Sequence, residues 1–199
     1  MGTRLDARCG AVDRAIRNSC RRISRQPALL RERSKLPWHR DQPWIDKLLV
    51  AGILALGFLG LPVIAGVDVF RWHLLPTPGP LVASLGLALY IVGWSIKALV
   101  LRTNAFATSV VRMQRERQHV VVDTGLYRIV RHPFYAGTPL VLVGTALWLE
   151  SYAATIVAIV PIALVIVRIV FEERFLRREL PGYTEYAARV SHRLLPGIW

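Results

Sequence analysis

Four long apolar runs, separated by polar and charged stretches, divide this chain of 199 residues. The first two runs have roughly the 20 residues that a helix needs to cross ~30 Å of hydrocarbon, and the third is shorter. A tight turn at 150–152 separates the last two. The pattern predicts an all-α integral membrane bundle of about four transmembrane helices, the last two forming a hairpin, with spans at about 48–67, 81–101, 133–149 and 153–171.

Glycines mark the second and third runs. Gly86 and Gly93 are seven residues apart, as are Gly137 and Gly144. Because seven residues is close to two helical turns, each pair lies on one helix face and permits close helix packing. Lys97, near the end of the second run, is expected to extend its long side chain to the membrane interface.

Basic residues concentrate in three segments: the N-terminal tail, the connector 102–132 and the C-terminal tail from Glu172. The loop 68–80 has one arginine, and the turn 150–152 has none. By the positive-inside rule, both termini and the connector lie on the cytoplasmic side, of the cytoplasmic membrane in a bacterium. A positive cytoplasmic rim that faces anionic lipid then accounts for the net charge of +13. The sequence contains no DNA- or RNA-binding motif that would point to nucleic acid.

Residues 1–43 form an arginine-rich tail, and 44–199 form the membrane domain. The tail is either a basic helix on the membrane surface or a disordered extension. It does not resemble a cleavable signal peptide, because its basic region is too long and the apolar run after it is long enough to span. Cys9 and Cys20 match no zinc motif and no disulfide framework, and no metal is expected.

The segment Arg131-His-Pro-Phe-Tyr135 stands directly before the third run. Proline suits the first turn of a helix and disfavours helical geometry in the residue before it, so the helix should begin at Pro133. The N–H groups of that first turn attract a carboxylate or phosphate, to which Arg131 and His132 would add charge and hydrogen bonds. The alternative is that Arg131 and Tyr135 only anchor the helix among lipid headgroups.

Arg168 lies inside the fourth apolar run, four residues before Glu172 and therefore on the same helix face. A charge at such a position generally turns toward the bundle interior or a wet cavity, and indicates a functional site. Alternatively, Arg168 and Glu172 form an ion pair of structural value only. Glu173 either belongs to the site or is a solvated charge.

The connector offers a third element. β-Branched residues at 120–122 favour an extended segment, and Asp123-Thr-Gly125 favours a turn. An extended backbone would line a ligand groove with its own N–H and C=O groups.

Together these residues resemble the isoprenylcysteine carboxyl methyltransferase and phospholipid methyltransferase superfamily of integral membrane enzymes. The resemblance covers the chain from about Gln118 to Trp199. The pieces that carry it are Gly125-Leu-Tyr127, Arg131 to Gly137, Gly144, Arg168 with Glu172-Glu173, and Tyr183 and Tyr186 before Arg193-Leu-Leu-Pro-Gly197.

The resemblance implies that S-adenosyl-L-methionine is held by the cytosolic connector and the C-terminal segment. By the same resemblance Arg168 would hold the carboxylate of the methyl acceptor, with Glu173 as a further candidate on that side. Arg131, from the residue argument above, joins the cofactor side. The residues that the resemblance places against the cofactor are His119, Val120, Val121, Val122, Tyr127, His132, Pro133, Phe134, Tyr135 and Glu172.

The function that the sequence favours is methyl transfer to a lipophilic or membrane-delivered acceptor, preferably a carboxylate. A phospholipid amine or a small thiol is an alternative acceptor, and its entry from lipid or from water stays open, as does the oligomeric state. Two other readings are an NADPH-dependent membrane reductase of the sterol type, which calls for more spans, and a non-catalytic membrane scaffold.

Overall fold

The computed structural model describes residues 43–104 and 121–199. The expectations for the N-terminal tail, His119 and Val120 lie outside these residues. The described chain forms helices and loops, with no strand. Its helices are α1 (Trp44–Trp72), α2 (Pro80–Thr103), α3 (Pro133–Trp148), α4 (Tyr152–Glu179) and α5 (Tyr183–Arg189), with a 3₁₀ turn at Gly125–Arg128.

Three helices, α1, α2 and α4, are long and apolar enough to cross a membrane. The chain is therefore an all-helical membrane protein, as the apolar runs predict. The third predicted span, which is α3, has 16 residues. At 1.5 Å per residue it is about 24 Å long, shorter than the ~30 Å hydrocarbon core.

Helix α1 is longer than the first apolar run. It begins at Trp44, directly after Pro43, and passes through the π-helical stretches Ile53–Gly60 and Asp68–Trp72. Asp68 is buried near its end, where it accepts hydrogen bonds from the Ser151 hydroxyl at 2.6 Å and the Leu74 N–H at 3.0 Å. This carboxylate therefore fastens the end of α1 to the turn between α3 and α4.

The glycine pairs permit close packing, as their spacing predicts, and the structure shows that they pack α2 against α3. A Cβ built at Gly93 would lie 2.8 Å from the carbonyl oxygen of Gly137, and one at Gly144 would lie 2.7 Å from that of Gly86. Residues late in α2 thus meet residues early in α3, so the two helices run antiparallel. Side chains at these four positions would force the backbones apart.

The expectation for Lys97 is wrong. Its side chain does not reach the interface but is buried between α2 and α3, where Nζ donates to Thr138 Oγ1 at 2.7 Å and to the Phe134 carbonyl at 3.2 Å. The ammonium also lies 3.9 Å from the centre of the Phe134 ring. Two acceptors and an aromatic face replace water, which makes burial of the ammonium tolerable.

Helix α4 continues well beyond the end of the fourth apolar run, since Glu172 and Glu173 lie within it and it ends only at Glu179. The span boundary at 171 stays a prediction, because long charged side chains let a helix emerge from the apolar region without ending. Gly182, at φ 81°, then turns the chain into α5.

The largest apolar core joins α1, α3 and α4. Small and branched residues from the three helices are fully or almost fully buried together: Leu61, Ala65, Leu142, Ala146, Ala154 and Ala158. This core lies on the side of the bundle that carries Ser151. At the other side α3 begins and α4 emerges, and polar groups replace the apolar contacts.

Candidate functional site

Four helix ends meet at the polar side of the bundle: the starts of α1 and α3, the end of α2 and the last turns of α4. Polar contacts join three of these ends to one another and join the end of α2 to the 3₁₀ turn. These are Asp46 with Arg168, Asn104 with Tyr127, Tyr135 with Glu172, and His132 with Glu173. The sequence elements predicted to form a site, Arg131–Tyr135 and Arg168–Glu173, are therefore brought together.

Arg168 is buried, and its partner comes from α1. Its Nε donates to Asp46 Oδ1 at 2.9 Å, and both side chains are almost inaccessible to solvent. The guanidinium carbon also lies 5.5 Å from the centre of the Tyr135 ring. The prediction that Arg168 turns into the bundle is confirmed, whereas the structural ion pair considered for Glu172 is formed by Asp46 instead.

Tyr135 connects Arg168 to Glu172. Its hydroxyl donates to Glu172 Oε2 at 2.7 Å, and its ring stacks on that of His132 with the ring centres 5.9 Å apart. Because Glu172 is only partly buried, its carboxylate lies at the boundary between the packed interior and the surface. This boundary position suits a group that receives a charged ligand.

Glu173 is not the solvated charge that one interpretation of the sequence allowed. It is buried, with Oε1 accepting from Arg131 Nε at 2.6 Å and lying 3.2 Å from His132 Nε2. Its other oxygen accepts from Arg193 Nε at 2.9 Å. One carboxylate thus joins α4, the start of α3 and the C-terminal segment.

Arg131 holds the C-terminal segment as well. Its Nη1 donates to the carbonyl oxygens of Val190 and Ser191 at 2.6 and 2.8 Å. Its backbone N–H donates to the His192 carbonyl at 2.9 Å, and that of His132 donates to the Arg193 carbonyl at 2.9 Å. The contacts of Arg131 are therefore with the protein's own chain, and a contact with the cofactor stays a prediction.

His132 directly precedes α3, and Pro133 is the first helical residue, as predicted. The His132 carbonyl accepts the N–H groups of Tyr135 and Ala136 at 3.0 and 3.1 Å. The helix begins without a side-chain cap, and Pro133, which contributes no N–H, stands at its first position. The same first turn delivers Tyr135 to Glu172.

Three tyrosines lie at or near the 3₁₀ turn of the connector. Tyr127 accepts a hydrogen bond from Asn104 Nδ2 at 2.8 Å, and burial raises the pKa of its phenol to about 12 against the opposing effect of that bond. The Tyr186 hydroxyl donates to the Tyr127 carbonyl at 2.8 Å. Burial and, after it, the negative charge of Glu173 raise the pKa of Tyr183 well above its usual value. All three phenols are therefore neutral near pH 7.

Tyr183 differs from the other two tyrosines because its buried hydroxyl has no hydrogen-bond partner within the described part of the chain. Its ring packs against that of Tyr186, with the ring centres 5.7 Å apart. Val121, one of the predicted cofactor residues, packs on the same cluster. Helix α5 is thus fixed beside Val121, which belongs to the segment that the sequence predicts to be extended and to line a groove.

The remaining predicted residues are placed as follows. Val121 and Val122 lie in a segment without helix or strand, and both are partly buried. The carbonyl and ring of Phe134 contact Lys97. Within residues 43–104 and 121–199, no group of three or more histidine, cysteine, aspartate or glutamate side chains could hold a metal ion.

Sequence reasoning missed three residues of this site: Asp46, Asn104 and Arg193. Each belongs to a contact between segments far apart in the chain; Asp46 and Arg168 are separated by 122 residues. The sequence did carry one signal for Asp46. A carboxylate two residues before the first apolar run is costly in a membrane helix unless a cation faces it, and Arg168 is the charge inside the fourth run.

The chain is similar to known proteins of one family. The phospholipid methyltransferase family matches residues 81–181, from the second residue of α2 to the start of the α4–α5 turn. A probable protein-S-isoprenylcysteine O-methyltransferase of Oryza sativa subsp. indica is 37% identical over 120 residues, which is 59% of this chain and 62% of that protein.

Two relatives from Arabidopsis thaliana give similar values. Protein-S-isoprenylcysteine O-methyltransferase B is 32% identical over 112 residues, and its counterpart A is 34% identical over 113. Each match covers 55% of this chain and 57% of the relative. The matched part thus spans about three fifths of the length of these proteins.

Proposed function

We propose that this chain, which belongs to the phospholipid methyltransferase family, is an S-adenosyl-L-methionine-dependent methyltransferase acting on a carboxylate of a lipophilic acceptor. The observation that carries the proposal is the buried cluster in which Arg168 lies over the Tyr135 ring while the Tyr135 hydroxyl binds Glu172. It sets a cation and a carboxylate on two sides of one aromatic ring, at the end of a membrane bundle.

The residues present fit the proposed cofactor. Glu172, partly exposed beside Tyr135, suits an ammonium or a ribose hydroxyl, and neutral aromatic rings suit an adenine or a sulfonium. The family resemblance adds Val121, Val122 and Tyr127 to this set, together with His119 and Val120. When bound, S-adenosyl-L-methionine supplies a methyl group on a sulfonium, which a single displacement transfers to the acceptor with loss of the thioether.

Arg168 would bind the acceptor. A carboxylate is ionised at neutral pH, so it needs no general base before it reacts as a nucleophile. A guanidinium fixed among protein groups would position that carboxylate and lower the cost of removing it from water. Positioning and desolvation are therefore the contributions that this chain's own residues make to the rate.

The site lies at one end of the membrane helices, and we place that end on the cytoplasmic side with both termini. The support is the arginine-rich connector and C-terminal tail, which the positive-inside rule assigns to the cytoplasm. Tyr135, Arg168 and Glu172 all belong to segments adjoining these regions. A lipophilic acceptor would then approach from the bilayer and present its polar end to Arg168.

A phospholipid amine is the second candidate acceptor, because the matching family is described by phospholipid methylation. An amine is protonated at neutral pH and must lose a proton before it reacts, which a carboxylate does not need. A small thiol is a third possibility that the sequence leaves open. The buried guanidinium of Arg168 favours the carboxylate over both.

Binding and transfer test the proposal in two stages. Purified protein in detergent is titrated with S-adenosyl-L-methionine and, separately, with NADPH. We expect binding of the first alone, whereas binding of NADPH alone would identify a reductase and binding of neither would favour a scaffold.

Methyl-labelled cofactor is then supplied with one of three acceptors: N-acetyl-S-farnesylcysteine, vesicles containing phosphatidylethanolamine, or a small aliphatic thiol. Base-labile label on the farnesylcysteine identifies the methyl ester that we expect. Label on the lipid amine or on the thiol alone would contradict the carboxylate assignment while keeping the methyltransferase.

A further inference from the structure

Helix α1 contributes a charged residue to the site although it lies outside the region that the family match covers, residues 81–181. That residue is Asp46, in the first turn of α1. Its Oδ1 accepts from Arg168 Nε at 2.9 Å, and the two side chains are 6% and 7% exposed.

Asp46 stabilises the buried guanidinium of Arg168. A guanidinium in an apolar interior is unstable unless a counter-charge and hydrogen-bond acceptors surround it. A long arginine side chain can otherwise leave the interior and extend toward the interface. Asp46 supplies a negative charge at hydrogen-bond distance, so Arg168 stays inside the bundle before any acceptor arrives.

The contact also fixes the orientation of the guanidinium. Arginine is a planar fork of N–H donors, and a bond at Nε sets the direction of that plane. The Tyr135 ring, 5.5 Å from the guanidinium carbon, restricts it from a second side. The terminal nitrogens of Arg168 therefore take defined positions, and less conformational freedom is lost when an acceptor binds.

We propose that Asp46 is a positioning residue for acceptor recognition: it holds Arg168 in the orientation in which the guanidinium binds the acceptor's carboxylate. This inference rests on the proposed function. Through it α1 becomes part of the acceptor side of the site. In this role Asp46 does not touch the acceptor but acts through Arg168.

The chain offers a matched control on the same helix. Asp68 is also a buried carboxylate of α1, but it lies at the other end and binds Ser151 and the Leu74 N–H. Replacing either aspartate with asparagine keeps the shape and removes the charge. A loss that comes only from weakening α1 should appear in both variants, whereas a loss of acceptor recognition should appear only in Asp46→Asn.

The experiment measures three quantities for the full chain in detergent: the Kd for S-adenosyl-L-methionine, the KM for N-acetyl-S-farnesylcysteine and the thermal midpoint. For Asp46→Asn we expect the acceptor KM to rise about tenfold or more, while the cofactor Kd stays within about threefold. For Asp68→Asn we expect a lower thermal midpoint with the acceptor KM within about twofold of the wild type. Asp46→Glu keeps the charge and should recover part of the acceptor affinity.

Two further comparisons keep the inference open to refutation. In an Arg168→Ala background, Asp46→Asn should lower the residual transfer to the acceptor no further, because the residue through which it acts is gone. A folded Asp46→Asn protein with a wild-type acceptor KM would overturn the inference.

If Asp46→Asn does not fold, Asp46→Glu decides, since its displaced carboxylate should still alter the acceptor KM; an unchanged value would overturn the inference too. Failure of the wild type to bind the cofactor or to methylate this acceptor is a different result. It would refute the proposed function, whereas an active wild type with a normal Asp46→Asn variant would refute the positioning role alone.

Discussion

At the scale of single residues, the adjacent carboxylates Glu172 and Glu173 have separate tasks. Glu173 is buried against Arg131, His132 and Arg193, and thereby ties three segments together. Glu172 is partly exposed and has one neutral partner, the Tyr135 hydroxyl. Adjacent residues of a helix point about 100° apart, so one can face the packed interior while the next reaches the edge of the site.

Glu172→Ala should weaken the binding of S-adenosyl-L-methionine by about 1–3 kcal/mol, roughly 5- to 150-fold, which is the loss expected for a charge-assisted hydrogen bond. Isothermal titration of the purified variant measures this directly. Arg168→Ala provides the contrast, because we expect it to bind the cofactor nearly normally and to lose transfer to a carboxylate acceptor.

Lysine at position 168 should restore little of that transfer, since a point charge cannot reproduce a planar two-donor fork. If a folded Arg168→Ala protein binds no cofactor, the division of labour between the two residues is wrong and Arg168 belongs to the cofactor pocket.

Two buried tyrosines give a stability test at the same scale. Tyr183→Phe removes a hydroxyl that has no partner among the described residues, so it should leave the free energy of unfolding unchanged or raise it slightly. Tyr186→Phe removes a donor that lies 2.8 Å from the Tyr127 carbonyl and should lower that free energy by about 1–2 kcal/mol. Thermal unfolding of both variants in detergent compares them, and equal losses would contradict this assignment of the two hydroxyls.

At the scale of elements, local patterns predicted the helices well and their ends less well. Apolar runs located α1, α2 and α4, proline chemistry located the start of α3, and glycine spacing indicated a closely packed face on α2 and on α3. The end of α4 and the burial of Lys97 were not predicted. An apolar run marks only the membrane-embedded part of a helix, so it does not give the end of α4. The burial of Lys97 depends on Thr138, which lies in another helix and which no local pattern specifies.

Gly93→Ala should destabilise the protein by about 1–3 kcal/mol, because the added Cβ would lie 2.8 Å from the Gly137 carbonyl oxygen and 2.9 Å from the Val141 nitrogen. These are backbone atoms of α3, so the helices must separate to admit it. Gly66→Ala is the matched control, since nothing lies within 4 Å of its added Cβ. In that helix alanine should be neutral or stabilising by up to about 1 kcal/mol. Thermal unfolding that ranks the two variants in the opposite order would contradict the close packing of α2 on α3.

At the scale of the whole molecule, the region that matches the family, residues 81–181, is preceded by helix α1, which lies outside the match. The site's elements 131–135 and 168–173 were predicted to meet and do meet. The contribution of α1 was not predicted, because its connection to Arg168 crosses 122 residues and neither partner's neighbourhood in sequence specifies the other. The resemblance supplied the cofactor assignment, and the structure adds Asp46 as the partner of Arg168, the residue that we propose binds the acceptor.

The arginine-rich tail gives the last prediction. Its basic residues suit anionic lipid, whereas the family match begins only at residue 81 and Asp46 lies after the tail. Deleting Met1 to Arg40 should therefore leave the affinity for S-adenosyl-L-methionine within about threefold of the full chain, below the tenfold step that ~1.4 kcal/mol represents. The truncation ends before Trp44, so α1 and its contact with Arg168 are kept. Titration with the cofactor measures this affinity. The truncated chain should also lose most of its preference for anionic lipid, which reconstitution into vesicles with and without anionic lipid measures. A tenfold or larger loss of cofactor affinity would instead make the tail part of the site.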